Sequence, residues 1–222
     1  FCKARVICRG RIETDGGNSQ QYDREDNSMS LADATAKPAT RTRLGVEAEN
    51  MGRPALDPGI IEMARACDAC GVDSISVSDH LVSFASPTRA DASDADAIWL
   101  EAMTCLAAIS AVTDRAKLVA SVIILPQRNV LELMRTASTI DLLSKGRLVL
   151  GVGSGWNARE MAALGYDFTT RGQRMDEMLQ VMRSRQGITV PPFGGDQIEI
   201  PDGILMAPSS WPGHTIPLYI GG

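Results

Sequence analysis

From Arg41 onward the chain switches repeatedly between two hydrophobic periods, 2 for strands and 3.6 for helices. Residues 43–47 predict a short strand. Asp57-Pro58 predicts a helix start, with the Asp carboxylate taking free backbone N–H groups and Pro at the first helical position. Ile60, Ile61, Ala64 and Cys67 or Asp68 follow at helical spacing, and Gly71 ends the run. Residues 72–78 alternate as a second strand, and a polar loop over 83–96 leads into a helix over 99–112. Residues 117–125 are a continuous, largely β-branched run, as expected of a strand buried on both faces. Asn129 opens a helix with Val130, Leu133, Met134, Ala137, Ile140 and Asp141 on one side, and residues 147–152 form a fourth strand. Asn157 caps a short helix, with Glu160 three residues on completing an Asn-x-x-Glu capping box. A longer helix spans 170–185, a small hairpin 198–205 and a fifth strand 216–220.

Strand and helix alternating at this spacing give an α/β fold with a parallel sheet and right-handed crossovers. Periodicity leaves two architectures open, a doubly wound open sheet and a closed eight-fold barrel. Residues 1–40 stand apart. The stretch 16–30 is polar, without helical or strand period, and reads as disorder. Met29 is the expected true start, so 1–40 is taken as a disordered or non-native extension and 41–222 as the folded domain.

A hydrophobic share of 44% with 22% charged residues belongs to an ordinary globular chain. The net charge of −5, with no basic stripe, argues against nucleic acid as partner. No apolar run approaches the roughly 20 residues of a membrane helix, and no secretory signal is visible at the start. The five cysteines, Cys2, Cys8, Cys67, Cys70 and Cys105, suit reduced thiols in a cytoplasm. Cys67 and Cys70 form a CxxC late in a helix rather than at its start, without a second pair or a nearby His, so helix packing explains them better than redox or zinc chemistry.

Two strand ends carry candidate chemistry. Ser78-Asp79-His80 follows the second strand, and in a (β/α) barrel the C-terminal strand ends form the active-site face. An imidazole beside a carboxylate there suits proton transfer near neutral pH, and the competing reading is a capped turn with His80 as filler. The only other histidine, His214, lies in a Pro/Gly loop and is expected to be solvated. Gly151-Val-Gly153-Ser-Gly155-Trp156-Asn157 follows the fourth strand; glycines there would let the backbone approach a flat or anionic ligand, with a capped helix N-terminus behind. It departs from a dinucleotide fingerprint, which wants a third glycine at Trp156 and the first strand of the domain. A tight structural turn explains it equally well.

The block running through Gly71, Asp79-His80, 99–112, Leu125-Pro-x-Arg128-Asn129, Asp141-Leu-Leu-Ser-Lys-Gly-Arg147-Leu-Val-Leu-Gly-Val-Gly153-Ser-Gly-Trp156 and Arg171-Gly-x-Arg174-x-Asp176-Glu177 resembles the luciferase-like monooxygenase superfamily, in its F420-dependent oxidoreductase branch. The resemblance runs from about residue 43 to 222 and is most specific over 116–177. It implies a TIM (β/α)8 barrel with an insertion at about 187–215, incomplete at the C-terminus with about five of eight strands. It also implies site roles: Asp79 touches the deazaflavin ring, and His80 is the proton donor or relay. Ser121-Val122 would form a bulged, non-prolyl cis peptide behind the ring. Gly153 and Asn157 would meet the cofactor, and Gly221-Gly222 would start the loop receiving its phosphate. Two departures matter: Ser154 stands where some members carry a catalytic Glu, against a sugar-phosphate substrate, and residues 184–195 lack the usual Leu-Trp-Thr.

The implied function is hydride transfer between coenzyme F420 and a small organic substrate. The alternatives are an FMN-dependent monooxygenase and a truncated, non-catalytic member. A cytoplasmic homodimer is expected, paired through the helices over 99–112 and 129–143, both apolar over more than one face. Without the remaining strands, residues 1–222 alone are expected to be poorly soluble and inactive.

Overall fold

A computed structural model describes residues 43–84 and 98–221. The extension 1–40, nearly all of the 83–96 loop and Gly222 lie outside the described residues. By internal contacts the chain divides after Arg43, and every described strand and helix belongs to the unit that begins at Leu44.

Five helices, α1 (Ile60–Ala69), α2 (Ala102–Ser110), α3 (Val130–Leu143), α4 (Ala158–Ala163) and α5 (Arg171–Ser184), alternate with strands β1 (Gly45–Glu47), β2 (Ser74–Val77), β3 (Lys117–Ile124) and β4 (Leu148–Gly153). Four short strands follow α5: β5 (Thr189–Val190), β6 (Phe193–Gly194), β7 (Glu199–Ile200) and β8 (Ile204–Leu205). The last strand is β9 (Leu218–Ile220). The main sheet is wholly parallel in the order β1-β2-β3-β4-β9.

Register explains the core. Ile75, Leu118 and Leu148 lie side by side, as do Val77, Ala120 and Leu150, and all six are buried. They share one cluster with Ala64, Leu106, Ile109, Leu133, Ala137 and Met178 from the helices. Each large side chain there contributes about 1.5–3 kcal/mol. On the opposite face Glu47, Ser76, Val119 and Val149 form a row that is exposed or half-buried. The expectation that 117–125 is buried on both faces therefore fails. Lys117 and Ser121 are exposed, because only one face of the sheet has helices packed on it among the described residues.

Three further boundaries moved for local reasons. α1 does not start on Asp57-Pro58, whose peptide bond is cis; Gly59 is its N-cap. The Asp57 N–H is already committed to the carbonyl of Arg53 in the preceding 3-10 turn. α2 starts at Ala102, because Trp99 is extended and bridges Met51. The hairpin placed at 198–205 is the return leg of a longer one, in which β6–β7 nests inside β5–β8. Glu177 of α5 holds its tip by accepting the N–H groups of Asp196, Gln197 and Ile198 at 3.1, 2.9 and 2.9 Å. Cys67 and Cys105 are buried free thiols, and burial first, then Glu101, pushes the Cys105 thiol up to about 11. No described helix is long and apolar enough to cross a membrane.

Candidate active site

Behind β1 the chain turns at Asn50, which is buried and hydrogen-bonded at both ends of its amide. Its Nδ2 donates to the carbonyls of Ser78 and Leu100, both at 2.8 Å, and its Oδ1 accepts the Ser78 N–H at 3.2 Å. Backbone bonds from Gly52 to Ile98 and from Leu100 to Asn50 complete the junction. The end of β2 and the segment carrying Trp99 are thereby fixed to each other.

Asp79 is next. Its side chain has no exposed surface, and it accepts the Ile124 N–H at 3.0 Å and Arg128 Nη2 at 2.7 Å. Arg128 Nη2 also donates to Glu101 Oε1 at 2.9 Å, and Glu101 caps α2 by accepting the Thr104 N–H at 2.7 Å. Burial works against charge on Glu101 and Arg128. For Glu101 it is outweighed by the bonds from Thr104 and the Arg128 charge, which hold its carboxyl below the usual range. For Arg128 it is outweighed by Asp79 and Glu101, which hold the guanidinium protonated. Asp79, expected to touch a cofactor ring, thus has both oxygens engaged in tying the end of β2 to the turn after β3.

His80 follows, and here the structure adds a partner. Its Nδ1 lies 2.7 Å from Oε2 of Glu160, whose side chain is 0% exposed. The other oxygen, Oε1, accepts the N–H groups of Leu81 at 2.7 Å and Val82 at 3.2 Å. Burial alone would raise the Glu160 carboxyl, but these three bonds and the His80 charge bring it below its ordinary value. The capping box is half formed: Asn157 Oδ1 accepts the N–H groups of Arg159 and Glu160, while the Glu160 carboxylate has gone to His80 instead of back to the cap. The imidazole is flanked edge-to-face by Trp99, 4.9 Å between centroids, and Trp156, 6.0 Å. Trp156 is 74% exposed, and His80 Nε2 has no hydrogen bond among the described residues.

Beside this cluster, Ser121–Val122 is a non-prolyl cis peptide at a register shift between Ala120 and Ile123. Ser121 is exposed and Val122 half-buried. The glycines of β4 answer to this bulge. A Cβ on Gly151 would collide with the Ala120 carbonyl oxygen, one on Gly153 would sit 2.9 Å from Val122, and one on Gly221 3.0 Å from Val122. Their first role is to make room for the bulge: Gly151 admits the Ala120 carbonyl, and Gly153 and Gly221 admit the Val122 side chain.

Residues 41–222 match the family model for the luciferase-like monooxygenases. The chain belongs to that family. A curated relative, the F420-dependent glucose-6-phosphate dehydrogenase of Amycolatopsis mediterranei, is 30% identical over 165 residues, covering 72% of this chain and 46% of its own length. Two solved structures share the fold. An F420-dependent secondary alcohol dehydrogenase in complex with an F420-acetone adduct has a TM-score of 0.66 at 23% identity, over 82% of this chain and 53% of its own. The FMN complex of a type II Baeyer-Villiger monooxygenase from Pseudomonas putida has a TM-score of 0.63 at 21% identity, over 81% and 51%. The chain spans about half the length of the relatives it matches, and its five parallel strands are part of the luciferase-like (β/α) barrel.

Within that barrel the structure brings His80, Asp79, Ser121, Val122, Gly153 and Asn157 to one end, the C-terminal ends of β2, β3 and β4. Gly221 directly follows β9 and abuts Val122; Gly222 lies outside the described residues. Glu160, Asn50, Arg128 and the two flanking indoles were not visible as site residues in the sequence. Arg128 and Trp156 stood in the quoted motifs without a role of their own, and Glu160, an acidic residue in the first turn after the glycine run, read as a cap.

Proposed function

We propose that the protein is an oxidoreductase passing a hydride between the deazaflavin coenzyme F420 and a small organic substrate, with His80 handling the proton. One observation carries this reading: an imidazole held at Nδ1 by a buried carboxylate, with Nε2 unbonded among the described residues, at the C-terminal strand ends where β3 bulges at Ser121–Val122. In this reading a planar cofactor ring would lie against the bulge. Ser121 is exposed, Val122 is half-buried, and Gly151, Gly153 and Gly221 pack against the bulge where a Cβ would press on Ala120 or Val122. Ser121 and Val122 would back the ring, and Gly153 would keep that backing level. Asn157 would contact it through Nδ2, the amide atom its cap leaves free. Gly221 and Gly222 would begin the phosphate loop, and Asp79 would hold the strand ends in register beneath. When bound, the deazaflavin supplies the hydride chemistry, while the protein orients it and manages the proton.

The same surface would take FMN, the cofactor of the Pseudomonas putida structure, and the second reading is a flavin-dependent monooxygenase. We place the protein in the cytoplasm as a homodimer through α2 and α3. α2 offers Thr104 and Ala108, and its C-cap offers Ala111, on the exposed side, small enough for close helix approach. Sedimentation as a monomer at micromolar concentration would refute the dimer.

The absorbance spectrum of protein purified from a deazaflavin-producing host tests the cofactor. A single deazaflavin band is expected, and a two-band flavin spectrum would move the assignment to FMN. Retention of neither, with no binding on titration, would leave a non-catalytic family member.

A further inference from the structure

We infer that Glu160 is the positioning residue of this site: it holds a proton on His80 Nδ1 and so leaves Nε2 as the atom that exchanges protons there. The inference rests on the reading of His80 as proton carrier. Its grounds are atomic. Oε1 of Glu160 already accepts two backbone N–H groups, from Leu81 and Val82, and therefore carries no proton. Oε2, 2.7 Å from Nδ1, is the only group of this carboxylate that meets the imidazole. A carboxylate with no exposed surface that accepts two backbone N–H groups is stabilised as the anion, and an anion only accepts. Nδ1 must then donate. Neutral His80 is the Nδ1–H tautomer with a lone pair on Nε2, and a protonated His80 gains its second proton at Nε2. The backbone bonds matter as much as the imidazole bond, because they stop the carboxylate from rotating. Glu160 lies in the first turn of α4, whose N-cap Asn157 fixes that turn, so β4's trailing segment sets the protonation pattern of a residue that follows β2.

The geometry makes replacement by glutamine informative. In Glu160→Gln the amide oxygen has to stay with the two backbone donors, since an NH2 group there would face two N–H groups. The amide NH2 then faces Nδ1 and can bond only to a lone pair. The substitution keeps the clamp on Leu81 and Val82 and inverts the tautomer of His80.

The test is nitrogen NMR on protein with labelled histidine. There are only two histidines, and His214→Asn assigns the pair of signals. At a pH where the imidazole is neutral, the unmodified protein is expected to show a protonated Nδ1 and a bare Nε2 for His80, with the pattern reversed in Glu160→Gln. In a cofactor-loaded chain that also carries the remaining barrel strands, turnover should fall about ten-fold or more in Glu160→Gln, with cofactor affinity unchanged. In a His80→Asn background the same substitution should cost nothing further, which a purely structural role would not produce. An Nε2–H tautomer in the unmodified protein, a measurement needing no variant, overturns the inference and leaves the hydride-transfer reading untouched. Absence of deazaflavin binding overturns that reading and leaves the tautomer assignment standing.

Discussion

The molecule holds its two histidines in nearly the same way and at opposite ends of the sheet. His80 Nδ1 is 2.7 Å from Glu160 and His214 Nδ1 is 3.0 Å from Asp141, and both carboxylates have side chains with no exposed surface. The surroundings differ. Asp141 lies in the last turn of α3, below the start of β4, where it also accepts the Trp211 N–H at 2.9 Å. A Cβ on Gly146 would press on both Trp211 and His214 at 3.2 Å. That pair fastens the 210–214 turn to a helix end, so the expectation of a solvated His214 gives way to a packed one. The upper pair sits beside an exposed indole and the open bulge. A buried carboxylate holding an imidazole is thus not itself a sign of chemistry; which end of the strands it occupies, and what lies beyond the free nitrogen, decide its use.

The largest effect that would sharpen this contrast is on stability. Asp79→Ala would leave the Ile124 N–H and part of Arg128 buried without their partner, at a cost of about 3–5 kcal/mol by urea unfolding. A change near zero would mean that Asp79 is not a clamp. Activity comes next. In a chain that also carries the remaining barrel strands, His80→Asn should lower turnover about ten-fold or more with cofactor affinity preserved. His214→Asn should leave turnover alone and cost about 1 kcal/mol of stability. Equal losses of turnover in both variants would erase the distinction between the two ends.

Acid separates them less steeply. The Glu160 carboxyl is depressed in the folded protein, so it contributes stability above its ordinary range and loses it as the pH falls through the lower folded value. Urea midpoints should therefore drop from about pH 4 downward, and drop less in Glu160→Gln. Identical drops would show that the upper carboxylate is not the group being protonated. The smallest effect is at the cap: Asn157→Ala should cost about 1 kcal/mol and loosen the first turn of α4, detected as faster amide exchange at Arg159 and Glu160. Unchanged exchange there would remove Asn157 from the support of the upper pair.

How much of this was legible before folding depends on the range of the forces involved. The parallel αβ order, the strands β2 to β4, the Asn129 and Asn157 caps and the candidacy of His80 could all be read from the chain, because hydrophobic period and capping act over a few neighbouring residues. The Ser121–Val122 bulge came from resemblance, since nothing in those two residues demands it, and tertiary packing supplied its reason in the small surfaces of Gly151, Gly153 and Gly221. What only the tertiary structure decided was the wiring between strand ends. Glu160 is 80 residues from His80 and Arg128 is 49 from Asp79. A local rule saw in Glu160 a partner for its own helix cap. Once the strands are side by side, a buried imidazole edge and two backbone N–H groups offer that carboxylate more than the cap does, because charge-assisted bonds strengthen where water is excluded.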